Sequence, residues 1–163
     1  MNFLHFLVQR KSCVNTQRGM FTMGAMGSVA LIVLALAATY GIYRYITNSY
    51  SVMIESTNLM SIVSGAKSLK TNGSYASVDN AALQRIRAFG NMTGGQTGGT
   101  VRNRWSGTVV VSGTASQLEI QYNDVPASAC DRFLARATDS GEFATPLPTC
   151  AESGNSDLTF IAY

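Results

Sequence analysis

Twenty-four consecutive residues, Met20 to Tyr43, carry no charge, and that run limits every reading of the chain. A helix of this length extends roughly 36 Å, enough to cross a hydrocarbon layer of about 30 Å with some tilt. A cleavable secretory signal has an apolar core of only about 7 to 15 residues and ends in small side chains. The run here is longer, and "TYGIYRYI" at its far end is a poor cleavage context. Arg10, Lys11 and Arg18 precede it and only Arg44 follows closely, so the positive-inside rule keeps the amino-terminal side cytoplasmic and places residues 45 to 163 outside.

The run is also rich in small residues: Gly24, Ala25, Gly27, Ser28, Ala30, Ala35, Ala37 and Ala38. In lipid, small side chains let helix backbones approach and gain dispersion contacts. They fit a helix that packs against other helices, although a lone anchor tolerates the same composition.

No proline or strong breaker follows between Arg44 and Lys70; Gly65 is the one weak point. Helical spacing there sorts the apolar residues into two stripes, Ile46, Tyr50, Met53 and Met60 on one side and Val52, Leu59, Ile62, Ala66 and Leu69 nearly opposite. A surface helix needs one apolar stripe. Two stripes imply two partners, the chain's own head and a neighbouring chain, unless the helix is sunk in one core. Helix from Met20 to Lys70 would run roughly 77 Å.

After the Asn72-Gly73 break the pattern becomes that of a small head. "DNAALQRIRAFG" predicts a short helix with Asp79 as N-cap, Ala82, Ile86 and Phe89 on one face, and Gly90 past its end. "RWSGTVVVSG" and "SQLEIQYN" read as a hairpin around "SGTAS", with Leu118, Ile120 and Tyr122 sharing a face. A helix is then expected to start at Asn123 or Asp124 with Pro126 in its first turn, turning Cys130, Phe133, Leu134 and Ala137 inward. "DLTFIAY" predicts a final strand. The fold class is therefore α+β, a small sheet with helices packed on it and a long helix attached. The expected organisation is a leader over residues 1–19, a long helix over 20–70 with 20–43 in the membrane, and a head over 71–163.

Charge and chemistry narrow the function. The net charge of +3 arises in the leader: three of the twelve basic residues precede Gly19, leaving nine against nine acids. The body lacks the concentrated basic surface of a nucleic-acid binder; Arg102 and Arg104 beside Trp105 read as a solvated loop next to a strand. The glycine-rich "GNMTGGQTGG" lacks the Gly-Lys-Ser/Thr ending that a phosphate loop needs. The one histidine, His5, lies in the leader, which leaves no imidazole for a triad, for acid-base work or for a metal in the body. Glu119 and Asp124 are close in sequence but read as an exposed strand position and a helix cap. No catalytic constellation, metal site or cofactor is expected. Of the three cysteines, Cys13 would be cytoplasmic and reduced, whereas Cys130 and Cys150 would reach an oxidising compartment together. They either remain buried thiols or close a loop worth about 3 kcal/mol.

A short basic leader ending in Gly19, the uncharged start "MFTMGAMG", a very long amphipathic helix, an α+β head and two late cysteines resemble a type IV prepilin. The leader length, Met20 as first mature residue and "YNDVPASACDRFLARA" resemble most the type IVb pilins of the PilS-like group, associated with conjugative thin pili and adhesion. The resemblance implies cleavage after Gly19 by a prepilin peptidase, methylation of the new amine on Met20, and a Cys130 to Cys150 bridge bounding the D-region. It implies an inner-membrane precursor that passes through an assembly platform into an extracellular filament of its own copies. Filament contacts are then expected from Gly24 and Gly27 and from the stripe Val52, Leu59, Ile62 and Leu69.

One departure stands out. The family usually carries glutamate at the fifth mature position, which is Gly24 here. The first acid after the cleavage point is Glu55, roughly 50 Å further along a continuous helix. An unpaired ammonium in an apolar filament core is costly, so this subunit would either sit at the tip or have its terminus solvated differently. The rival reading is a monomeric signal-anchor protein with a periplasmic binding domain. It accounts for the span and the cysteines, but not for the charge boundary at Gly19 or the two-sided helix.

Overall fold

A computed structural model of the chain describes residues 17–163 apart from Thr97, with residues 17–26 described by their backbone alone. Most of the expected leader, including His5 and Cys13, lies outside the described residues. The elements are α1 (Gln17–Leu69), α2 (Asn80–Arg85), β1 (Val109–Gly113), β2 (Leu118–Pro126), α3 (Ala127–Ser140) and β3 (Asn155–Ala162). They fall into two compact units, Met1–Arg44 and Tyr45–Tyr163.

Within the first unit the chain from Gly27 to Arg44 is helix with every side chain exposed. Leu and Ala dominate its composition and favour the helix intrinsically. Thr39 does not disturb it, because its hydroxyl donates to the Ala35 carbonyl at 2.7 Å and is satisfied inside the helix. The stretch Gly27–Leu69 is long and apolar enough to cross a membrane.

In the second unit the remainder of α1 lies along the head. Val52, Leu59, Ile62, Val63 and Ala66 are buried in a single core with residues of every other element. Their three- and four-residue spacing places them on one helical face. Gly65 does not break the helix. A Cβ there would stand 2.5 Å from that of Ala88, so the missing side chain lets the segment after α2 close onto α1.

The three strands form an antiparallel sheet in the order β1-β2-β3. Period-two alternation fixes its register: Val111 pairs with Ile120 and Ile120 with Phe160, so that the buried rows of all three strands share one face. The hairpin closes through Thr114 and Gln117, as its turn residues predict. The outer edge of β1 is sealed by the segment before and within α2. Asn80 Nδ2 donates to the Val109 carbonyl at 2.9 Å, and its Oδ1 accepts from Val111 N at 2.6 Å. That side chain stands in for a strand's peptide group and blunts an edge that would otherwise invite pairing.

Two boundaries differ from the sequence expectation. Asn123 and Asp124 do not cap α3; β2 continues to Pro126, which has extended backbone angles and no side-chain cap bond. Asn123 Nδ2 instead donates to Thr108 Oγ1 at 2.7 Å, and Asp124 adopts a φ of 57° in a bulge between Tyr122 and Val125. Proline still precedes the first turn, where its missing N–H costs nothing. The second difference is α2. Asp79 caps it, its carboxylate accepting from Ala82 N at 2.7 Å, but the helix ends at Arg85 and Arg87 turns left-handed at φ 58°. Ile86 therefore faces solvent, while Ala82 and Phe89 are buried.

Gln84 is buried in the last turn of α2. Its Nε2 donates to the carbonyls of both Gly94 and Gly99, each at 2.8 Å, and holds the glycine-rich loop by its two ends.

Candidate functional site

The two stripes of α1 are treated differently by the head. Val52, Leu59 and Ile62 are 2 %, 0 % and 0 % exposed, and Leu69 is partly buried against the same core. The expectation that these residues meet a neighbouring chain is corrected accordingly. Their surface is consumed inside the molecule, because the small three-stranded sheet offers only one apolar face and needs a helix to cover it. Along the opposite stripe Ile46, Tyr50 and Met53 are 59 %, 58 % and 57 % exposed, whereas Met60 is partly buried against the head's core. The exposed three recur at four- and three-residue spacing, so they form a continuous apolar line on one helical face.

Cations border this open face. The Arg104 guanidinium lies 5.4 Å from the centre of the Tyr50 ring. Arg132, from α3, donates to Ser49 Oγ at 2.6 Å and to the Ser128 carbonyl at 2.9 Å, and stands 5.5 Å from the ring centre of Tyr45. A shallow groove of about 510 Å³ runs between α1 and α3, with Ser49, Arg132, Arg136 and Asp139 along it. The arginines near Trp105 thus have structural work: Arg102 donates to the Ser106 carbonyl at 2.8 Å, and Trp105 packs edge-on against Phe133 with ring centres 5.8 Å apart.

One buried group was missed in the sequence. Glu55 is fully buried on the covered stripe, and its Oε1 accepts a hydrogen bond from Arg104 N at 2.9 Å. This ties α1 to the turn over residues 102–107. Asn103 shapes that turn, its Oδ1 accepting from Trp105 N and Gly107 N and its Nδ2 donating to the Asn123 carbonyl. Burial raises the Glu55 carboxyl above its ordinary value, against the opposing effects of the Arg104 N–H, Asn58, the Arg104 charge and Tyr122. Tyr122 is raised well above its own ordinary value, chiefly by burial and then by the Glu55 charge. Glu55 Oε2, Asn58 Nδ2, Trp105 Nε1 and the Tyr122 hydroxyl make no hydrogen bond of good geometry. The signal for Glu55 was present in its spacing, three residues after Val52 and four before Leu59.

The remaining predicted positions are placed as follows. Cys130, buried on α3, is bonded to Cys150 in the loop that feeds β3, with Cα atoms 5.9 Å apart. Gly19, Met20 and Gly24 lie in the part of α1 described by backbone alone. Gly27 has open space around the position of a Cβ. Among the described residues no group of three or more His, Cys, Asp or Glu is placed to hold a metal ion.

A long amino-terminal helix laid on a small antiparallel sheet, with short helices and a late disulfide, defines a pilin-like α+β protein. The family described as PilS, PilS N terminal, matches residues 49–154, nearly all of the second unit. The chain belongs to this family. No curated protein and no solved structure matches it. The family points to a structural subunit that associates with its own kind, and the long apolar helix fits a membrane-anchored pilin.

Proposed function

We propose that the chain is a structural subunit of a type IVb pilus, held in the inner membrane as a precursor and then drawn into an extracellular filament for conjugative contact or adhesion. Prepilin peptidase cuts after Gly19 and the new terminus on Met20 is methylated. The assembly platform then lifts the mature chain from the bilayer. The observation that carries this reading is the open stripe of Ile46, Tyr50 and Met53 on a helix whose other side is already taken by the head.

Extraction from lipid requires that other helices replace the lipid contacts. Between residues 20 and 43 the small side chains, Gly24 and Gly27 among them, permit close helix approach. Below that level the open stripe supplies the apolar surface, and Arg104 and Arg132 border it with charge. A contact of this kind joins different faces of successive copies and does not close on itself, which yields a filament. The Cys130 to Cys150 bridge bounds the D-region.

Intact mass and amino-terminal sequencing of the protein from its host test the reading. The expected chain starts at N-methylated Met20. A chain retaining Met1 in cells with active prepilin peptidase overturns it. Gly19→Leu is expected to abolish cleavage and filaments together, and unchanged filaments would contradict the cleavage site.

A further inference from the structure

We infer that Tyr40, Tyr43 and Arg44 form a girdle that seats α1 in the outer headgroup layer of the bilayer, so that residues 20–39 rather than 20–43 occupy the hydrocarbon. The inference rests on the membrane-anchored precursor proposed above and adds its depth.

Three observations converge. The first is length. Residues 20 to 39 contain no tyrosine and no charge, and as helix they extend roughly 30 Å, the thickness of the hydrocarbon layer. Thr39, at the end of that stretch, has its hydroxyl bonded back to Ala35 and asks nothing of its surroundings. The second is side-chain character. Tyr40 and Tyr43 are 61 % and 64 % exposed, and a phenol joins an apolar body to a polar tip, which suits the boundary between lipid tails and water.

The third is the posture of the first cation after the run. Arg44 Nε donates to the Tyr40 hydroxyl at 3.1 Å, and its guanidinium lies 5.6 Å from the Tyr40 ring centre. The arginine therefore leans back one turn, and charge and phenol share one level. From Tyr40 to Arg44 the helix rises roughly 6 Å, comparable to the roughly 5 to 7 Å that each headgroup layer adds to the hydrocarbon core. A planar guanidinium is matched to lipid phosphate. The occupant assigned to this band is the phosphate and glycerol layer of anionic and zwitterionic lipids.

The test uses the full-length precursor carrying Cys13→Ser, in vesicles of phosphatidylethanolamine and phosphatidylglycerol. Single cysteines are introduced one at a time over positions 30 to 50 and exposed to a membrane-impermeant maleimide; Cys130 and Cys150 are unreactive as a disulfide. No labelling is expected through position 39, partial labelling from 40 to 44, and full labelling beyond. The pair Tyr40→Leu and Tyr43→Leu is expected to move the boundary about one helical turn toward the carboxyl end, and Tyr40→Trp with Tyr43→Trp to leave it in place. A boundary that does not move with the leucine pair assigns depth to Arg44 alone and overturns the girdle. Full labelling at 40 to 44 places the tyrosines in water and also overturns it. Labelling at every position from 30 onward would instead overturn the membrane-anchored precursor itself, so the two failures are distinct.

Discussion

Two stretches of one helix carry apolar residues in different ways. From Gly27 to Arg44 the apolar side chains point in every direction and all are exposed; from Tyr45 to Leu69 one side is buried in the head and the other bears the line of Ile46, Tyr50 and Met53. A helix apolar all round is satisfied only by surroundings that are apolar all round, lipid or other helices. A two-sided helix is satisfied by a head on one side and one more surface on the other. The contrast separates what stabilises the fold from what the fold leaves for association.

Substitutions can break that contrast, and the largest effect is expected on the covered side. Leu59→Ala should lower the stability of the head by about 2 to 5 kcal/mol, read from denaturant unfolding of the full chain in detergent, while Leu34→Ala should leave the head's transition where it was. Equal shifts would erase the distinction between the two stretches. Replacing both Cys130 and Cys150 by serine should cost about 3 kcal/mol in the same assay, with the helicity of the span by circular dichroism unchanged.

A pH series sharpens the comparison on the covered side. Because burial raises the folded-state Glu55 carboxyl above its unfolded value of 4.5, the folded chain holds this proton more tightly than the unfolded one. The associated stability is complete below 4.5 and is lost as pH rises through the folded value. Glu55→Gln should flatten that slope, and a slope that survives the substitution belongs to another group. The smallest effect on stability is expected on the open side. Ile46→Ala, Tyr50→Ala and Met53→Ala should each change unfolding by no more than about 0.5 kcal/mol, yet together remove filaments seen by electron microscopy. A stability loss matching that of Leu59→Ala would mean that the head uses this side as well.

Much of this architecture was legible because periodicity is a physical record of burial. The alternation in Leu118, Ile120 and Tyr122 fixed their shared face, and the spacing of the helical residues revealed two stripes. Periodicity does not say which partner takes which stripe. Both are apolar, and the choice is made by the head, so Val52, Leu59 and Ile62 were assigned to the wrong neighbour. Asn123 and Asp124 were misplaced because the residues that favour helix caps also tolerate the left-handed backbone of a bulge. The burial of Glu55 escaped notice because a charge is ordinarily a surface mark, and only the turn at Arg104, which is remote in sequence, supplies its bond.

The two hydrogen bonds from Gln84 to Gly94 and Gly99 have a consequence for engineering. They clamp the neck of the intervening loop, in which Gly95 is buried against Phe89 while around Gly98 there is open space where a side chain would begin. Doubling such a loop adds only about 0.6 kcal/mol of closure entropy. A foreign peptide spliced at Gly98 would lengthen the loop outward while Gly94, Gly95 and Gly99 keep their places on the head, and in the filament proposed above it would be displayed in many copies.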